Sequence, residues 1–190
     1  MQTQPSSSAT AGAFAEQPVI QVQDQFGNAR NSANGTPDNS TVVTASRSAG
    51  SGTLQGTTIL TAADGAVTFT NLSHNVANTI TILFGSGGLT SATSSWITIN
   101  PAPVAQVAVT TQPGGGTAGS IFGTQPVIKT QDQFGNLSTV SLAASLDVTV
   151  GLTCGTGPLQ GTATPDIGAA AGNGMVAFTD LRIDAAGTSK

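Results

Sequence analysis

One twelve-residue stretch occurs twice in this chain. Gln17–Asn28 reads QPVIQVQDQFGN and Gln125–Asn136 reads QPVIKTQDQFGN, ten of twelve positions being identical at an offset of 108. Shorter echoes keep nearly the same spacing. Thr3-Gln4-Pro5 returns as Thr111-Gln112-Pro113, and Leu54-Gln55-Gly56-Thr57 as Leu159-Gln160-Gly161-Thr162. Val67-Thr68-Phe69-Thr70-Asn71-Leu72 returns as Val176-Ala177-Phe178-Thr179-Asp180-Leu181. The offset drifts only from 105 to 109. A fixed internal period means that one structural unit is encoded repeatedly, so this chain must fold as two copies of one module of about a hundred residues.

Inside a module the apolar residues alternate. Ile20 and Val22 are separated by Gln21, Val67 and Phe69 by Thr68, and Ile97 and Ile99 by Thr98. Ile80, Ile82 and Phe84 alternate with Thr79, Thr81 and Leu83. A period of two is the mark of a half-buried strand. Turn signals divide the strands: Phe26-Gly27-Asn28, Asn34-Gly35, Ala63-Asp64-Gly65, Gly85-Ser86-Gly87-Gly88 and Asn173-Gly174. No window keeps a helical period. About seven short strands per module predict an all-β chain of tandem antiparallel β-sandwiches. The expected boundaries are a first repeat over 1–100, a Pro-rich linker over 101–103 and a second repeat over 104–190. The first copy then lacks most of its opening strand and the second its last strands, as expected of a slice from a longer array.

Composition narrows the function. Charged residues make up 7% of the chain, against about a quarter in an average protein. The net charge is −4 with five basic residues, which offers no clustered Lys and Arg for nucleic acid and no basic membrane patch. No apolar run is long enough to span a bilayer, so neither nucleic-acid binding nor membrane insertion is expected of this segment. One His and one Cys leave little for a His centre, a disulfide framework or a multi-Cys zinc site. Ser and Thr together form about a quarter of the chain, so hydroxyls rather than ions must carry solubility.

A strand ending in Val-Gln-Asp-Gln-Phe-Gly-Asn, then a Thr/Val strand, then Asp-Gly-Ala-Val-Thr-Phe-Thr-Asn-Leu resembles the bacterial immunoglobulin-like modules of invasin- and intimin-type surface proteins. Both motifs occur in both copies, so the resemblance covers nearly the whole chain. It implies seven-stranded immunoglobulin-like sandwiches, an extracellular or cell-surface location, and a spacing or adhesive role without a catalytic site. Neighbouring repeats of the same chain are then the first partners. A glycan or protein ligand and homo-assembly through open sheet edges are the rival expectations.

Few residues could carry chemistry. Asp24 and Asn28, with Asp132 and Asn136, flank a tight turn and are weak Ca²⁺ candidates. Each turn brings one carboxylate, whereas Ca²⁺ takes six to eight oxygens; turn chemistry explains the same residues, because Asp accepts from backbone N–H groups nearby. No other cofactor is expected. Asp38, Asp64, Asp166, Asp180 and Asp184 are scattered and read as turn or surface residues. His74, unrepeated in the second copy, reads as a solvated loop residue. Cys154 reads as a buried small hydrophobe. Lys129 replaces Gln21 on the side opposite Ile20 and Val22, which places it toward solvent and argues against an isopeptide crosslink. Phe14/Phe122, Phe26/Phe134 and Phe69/Phe178 recur and read as framework packing. Trp96 alone remains a ligand-binding candidate. Asn34, Asn39, Asn71 and Asn136 lie in Asn-x-Ser/Thr sequons that a Thr-rich chain produces by chance.

Overall fold

A computed structural model describes residues 1–186 of the chain. It is all-β, and its helical content among the described residues is a single 3-10 turn over Ser32–Asn34. The chain separates into two compact units, Met1–Ala102 and Pro103–Lys190.

The first unit carries ten short strands: β1 (Ser8–Thr10), β2 (Gly12–Ala13), β3 (Val19–Gln21), β4 (Val42–Ala49), β5 (Ile59–Thr61), β6 (Ala66–Thr68), β7 (Ser73–His74), β8 (Thr79–Ser86), β9 (Leu89–Thr93) and β10 (Ile97–Asn100). Its largest sheet runs β1-β10-β8-β4-β5, with β9 also paired to β8. β1 lies parallel to β10 and the other neighbours are antiparallel. A second layer pairs β3 with β6, extended on the far side of β3 by Thr3, which bridges Val19. β2 and β7 form a small third pair. The unit thus carries ten short strands where about seven were expected, several of them only two or three residues long.

The alternation of the sequence becomes the core. Ile20, Val22, Val67 and Phe69 project from the β3–β6 layer and meet Val43, Ala45, Ile80, Ile82, Phe84, Ile97 and Ile99 from the large sheet in one buried cluster. Phe69 and Phe84 touch across it, with ring centroids 5.4 Å apart. Ala102, placed in the expected linker, is buried in this same cluster.

The second unit carries β11 (Val104–Thr111), β12 (Val127–Asp132), β13 (Leu159–Gln160), β14 (Met175–Ala177) and β15 (Arg182–Ile183). One antiparallel sheet runs β11-β12-β14, and β13 pairs with β15. Its buried cluster is small: Ile128, Ile167, Val176, Phe178 and Leu181, with Phe122, Val148, Val150 and Leu159 partly buried against it.

Several backbone hydrogen bonds of the first unit recur in the second. Ala62 N–H donates to the Thr41 carbonyl and Ala45 N–H to the Thr58 carbonyl; at an offset of 105 residues, Ile167 N–H donates to Leu146 and Val150 N–H to Ala163. The turn that leads into β6 shows why glycine sits where it does. Asp64 and Gly65 both have positive φ, 49° and 76°, and Ala63 and Ala66 exchange both backbone hydrogen bonds around them. Asn173 and Gly174 repeat this at 44° and 79° before β14. Paired positive φ values define the two-residue hairpin turn that matches strand twist, and Asn/Asp-Gly is the dipeptide that tolerates it.

Candidate functional site

The most strongly repeated motif, Asp-Gln-Phe-Gly-Asn, forms the same turn in both units. Asp24 Oδ1 accepts from the N–H groups of Phe26 and Asn28, both at 2.9 Å, and Oδ2 accepts from Asn28 Nδ2 at 3.0 Å. Asp132 repeats the pattern with Phe134 and Asn136 at 2.9, 2.9 and 2.8 Å. Gly27 and Gly135 both have φ of 87°, the left-handed backbone that a glycine supplies without strain. The hydrogen bonds from Asn28 hold the exposed Asp24 carboxyl below its ordinary pKa. Both carboxylates are thus aimed at N–H donors, the reverse of the oxygen cage that Ca²⁺ takes. Among the described residues no group of three or more His, Cys, Asp or Glu side chains comes together.

The rings of this turn correct the sequence reading. Phe26 is 79% exposed and Phe134 is 38% exposed; they are not framework packing. The clasped Asp and the left-handed Gly on either side force the intervening Phe to the tip of the turn, away from either sheet. Phe14, Phe69 and Phe178 are buried, and Phe122 packs partly buried against the second core.

Four further aspartates act in the same manner. Asp38 accepts from the N–H groups of Ser40 and Thr41 and from Thr41 Oγ1 at 2.9, 2.9 and 2.7 Å, and these bonds lower its pKa from 3.8 to about 2. Asp64 accepts from Ser32 N–H and Oγ, Asp166 from Leu146 and Gly168 N–H and Ser145 Oγ, and Asp180 from Thr162 N–H and Oγ1. Backbone donors also lower the Asp166 and Asp180 carboxyls. Asp184 pairs instead with Arg182 at 3.0 Å on the surface.

His74 is fully buried, not solvated. β7 pairs with β2 and draws the ring inward, where Gly52 makes room: a Cβ there would lie 2.9 Å from His74 Cε1. Nδ1 is 3.1 Å from the Val76 carbonyl. Burial pushes the imidazole below its ordinary pKa of 6.5, with the Arg47 charge acting in the same direction. The Val76 and Ser51 carbonyls pull the other way, yet Nε2 has no partner of hydrogen-bond geometry.

Cys154 is exposed, not buried. It occupies the position that Ala49 holds at the end of β4. Ala49 pairs with Thr81 of β8 and is half-buried, and the second unit has no such strand among the described residues. Lys129 is half-buried on β12, between Ala108 and Met175 and alternating with buried Ile128 and Thr130. Trp96 is 61% exposed in the link from β9 to β10. Its backbone neighbours are fixed: Ser94 Oγ accepts from Ile82 N–H and donates to the Ser95 carbonyl, and Ser95 N–H donates to Gln4.

Two features lay outside the sequence-based candidates. Gln17 bridges the layers of the first unit, its Nε2 donating to the carbonyls of Phe14 and Leu72 while Oε1 accepts from Leu72 N–H. Gln125 makes the same three bonds with Phe122 and Leu181. Its signal was present in the repeated Gln-Pro-Val-Ile, where the Gln recurs unchanged. The other is a cleft of about 490 Å³ in the first unit, beside β3 and β4, with Met1, Ile20, Val22, Val43, Phe84 and Leu89 in its lining. The equivalent edge of β12 in the second unit is occupied by β11.

Comparison with protein-family models, with curated proteins and with solved structures found no match.

Proposed function

We propose that this chain is a non-enzymatic spacer segment of a secreted or cell-surface protein, built from tandem immunoglobulin-like sandwiches. The observation that carries this reading is the use of the polar side chains. Asp24 and Asp132, like Gln17 and Gln125, make matching ties in the two units, and Asp38, Asp64, Asp166 and Asp180 tie further turns, which is how a module is made rigid. The two-layer arrangement of the first unit around one core supports the sandwich. A spacer of this kind holds another part of the protein at a distance, with antiparallel ladders resisting extension. Electron micrographs of the native protein that contains this segment should show rods of repeated beads; a compact particle overturns the reading.

Exposure of Trp96 and of Phe26 favours a second reading, a module that binds glycan or protein through its loops. Aromatic faces supply contact area at low entropic cost. Binding on a glycan array that is lost in Trp96→Ala would establish it over the first.

A further inference from the structure

Two positions that act on one another in the first unit are polar there and apolar in the second. Gln55 bridges Ser73 as Gln160 pairs with Arg182, so His74 stands where the second unit has Ile183. Residues 47–54 read RSAGSGTL and residues 152–159 read LTCGTGPL, which align without a gap and set Arg47 where the second unit has Leu152. Apolar side chains serve at both places in the second unit, so packing alone does not call for Arg and His in the first. The loop that follows Arg47 is built alike in both units. Gly50 and Gly52 have φ of 88° and 85°, and Gly155 and Gly157 have 102° and 83°. A Cβ on Gly52 would lie 2.8 Å from Val76 Cγ2, and one on Gly157 would lie 2.6 Å from Cβ of the matching Ala185.

In the first unit side chains hold this loop in place. Arg47 donates from Nε to the Gly52 carbonyl at 2.6 Å and from Nη1 to the Gly50 carbonyl at 2.5 Å. Asn78 Nδ2 donates to the Ser51 carbonyl at 2.9 Å and to Ser51 Oγ at 2.5 Å. No backbone–backbone hydrogen bond fastens Gly50, Ser51 or Gly52 among the described residues. The loop so held lies over the buried His74 ring. Nδ1 is 3.1 Å from the Val76 carbonyl oxygen and 3.3 Å from the Val76 nitrogen, so it is tied in either tautomer. Nε2 is buried without a partner of hydrogen-bond geometry, and a Cβ on Gly52 would lie 3.0 Å from it. The segments around the ring, Gly12–Ala13, 50–55 and 75–78, carry no titratable side chain. The charge that acts on the ring is Arg47 of β4. A proton on Nε2 therefore makes a cation away from water, and the guanidinium that grips the loop has the same sign. Burying an unpaired charge is costly, and the cover held by side chains alone is the part that can yield.

We propose that the Gly50-Ser51-Gly52 loop is a proton-released strap: protonation of His74 frees it from the ring while the sheets beneath stay folded. The closed strap holds the imidazole below its ordinary pKa of 6.5, burial being the larger cause and Arg47 the smaller, with the Val76 and Ser51 carbonyls opposing. An opened strap admits water and lets the ring return to about 6.5. The closed form is thus favoured above about 6.5, and each unit of pH below that shifts the balance toward the open form by up to about tenfold. The second unit, with Leu152 and Ile183 at these places, has the loop without the trigger. A spacer does not require such a device; it adds a response to acid at one defined place in the first unit.

The test is an NMR titration of the full chain downward from about pH 7.5, with the carbon-bound ring protons of His74 reporting its protonation. As the ring takes up its proton, the backbone order parameters of Ser51 and Gly52 should fall from about 0.85 to below about 0.6. The Asn78 side-chain amide should lose its hydrogen-bonded shift at the same midpoint. The Ala45 and Ile82 amides, in β4 and β8, should stay protected from exchange throughout. His74→Ile, which copies the second unit, should keep the strap rigid over the same range, and His74→Gln provides a second neutral replacement should that variant not fold. A strap that stays rigid once His74 is protonated, or one that loosens as much in the neutral variants, overturns the proposal. Loosening only together with the Ala45 and Ile82 amides also overturns it, as does a ring that stays neutral until those amides lose protection.

Discussion

At the scale of single residues, this protein uses aspartate as a tie rather than as a charge. Asp24 and Asp132 make matching clasps, but Asp24 is exposed and Asp132 is fully buried. Removing a buried acceptor strands its donors, so Asp132→Ala should cost about 1–3 kcal/mol in chemical denaturation, and Asp24→Ala clearly less. The pH response follows from two opposite kinds of site. The folded-state pKa of His74 lies below 6.5, so the unfolded chain takes up the proton first. Its contribution is complete above about 6.5 and declines as pH falls beneath it; melting of the first unit between pH 7.5 and 5.5 should show this, and His74→Gln should remove most of it. Asp38, lowered from 3.8 to about 2, contributes above 3.8 and loses its effect as pH drops through about 2. The sequence disclosed Asp24 and Asp132 as turn residues because Asp-x-Phe-Gly-Asn has a local explanation. It misplaced His74 and Cys154, because burial depends on strands far away in sequence: β2 covers His74, and no counterpart of β8 lies beside Cys154 among the described residues; Phe26 was misplaced because the two turn constraints flanking it hold it at the tip.

At the scale of elements, two-residue turns set the register of the strands they join. A Cβ at Gly65 would lie 2.0 Å from the Arg30 carbonyl oxygen, at a φ of 76°. Gly65→Ala combines backbone strain with collision and should destabilise the first unit by roughly 2–4 kcal/mol, measured by urea denaturation. The strands were legible where apolar residues alternate, as at Ile80, Ile82 and Phe84, because a period of two places them on one face. Which strands neighbour each other was not legible. The parallel contact of β1 with β10 joins residues some ninety positions apart, and no local pattern encodes such a partner. The bridging role of Gln17 was hidden for the same reason: its bonds reach Leu72, fifty-five positions away.

At the scale of the whole molecule, the units differ in how much they bury. The first has a core cluster of eighteen buried residues and the second one of five, among the described residues. Burial is the main favourable term in folding, so calorimetry should resolve two transitions, the lower one belonging to Pro103–Lys190. Asp132→Ala should move only that lower transition. The clasps have a wider consequence. The polar ties here are short contacts between carboxylates and uncharged N–H or O–H donors, and the surface carries a single Arg–Asp ion pair among the described residues. Dissolved electrolyte weakens attraction between separated exposed charges, and this surface holds very little of it. A molecule tied together in this way can pass from fresh water to brine without loosening.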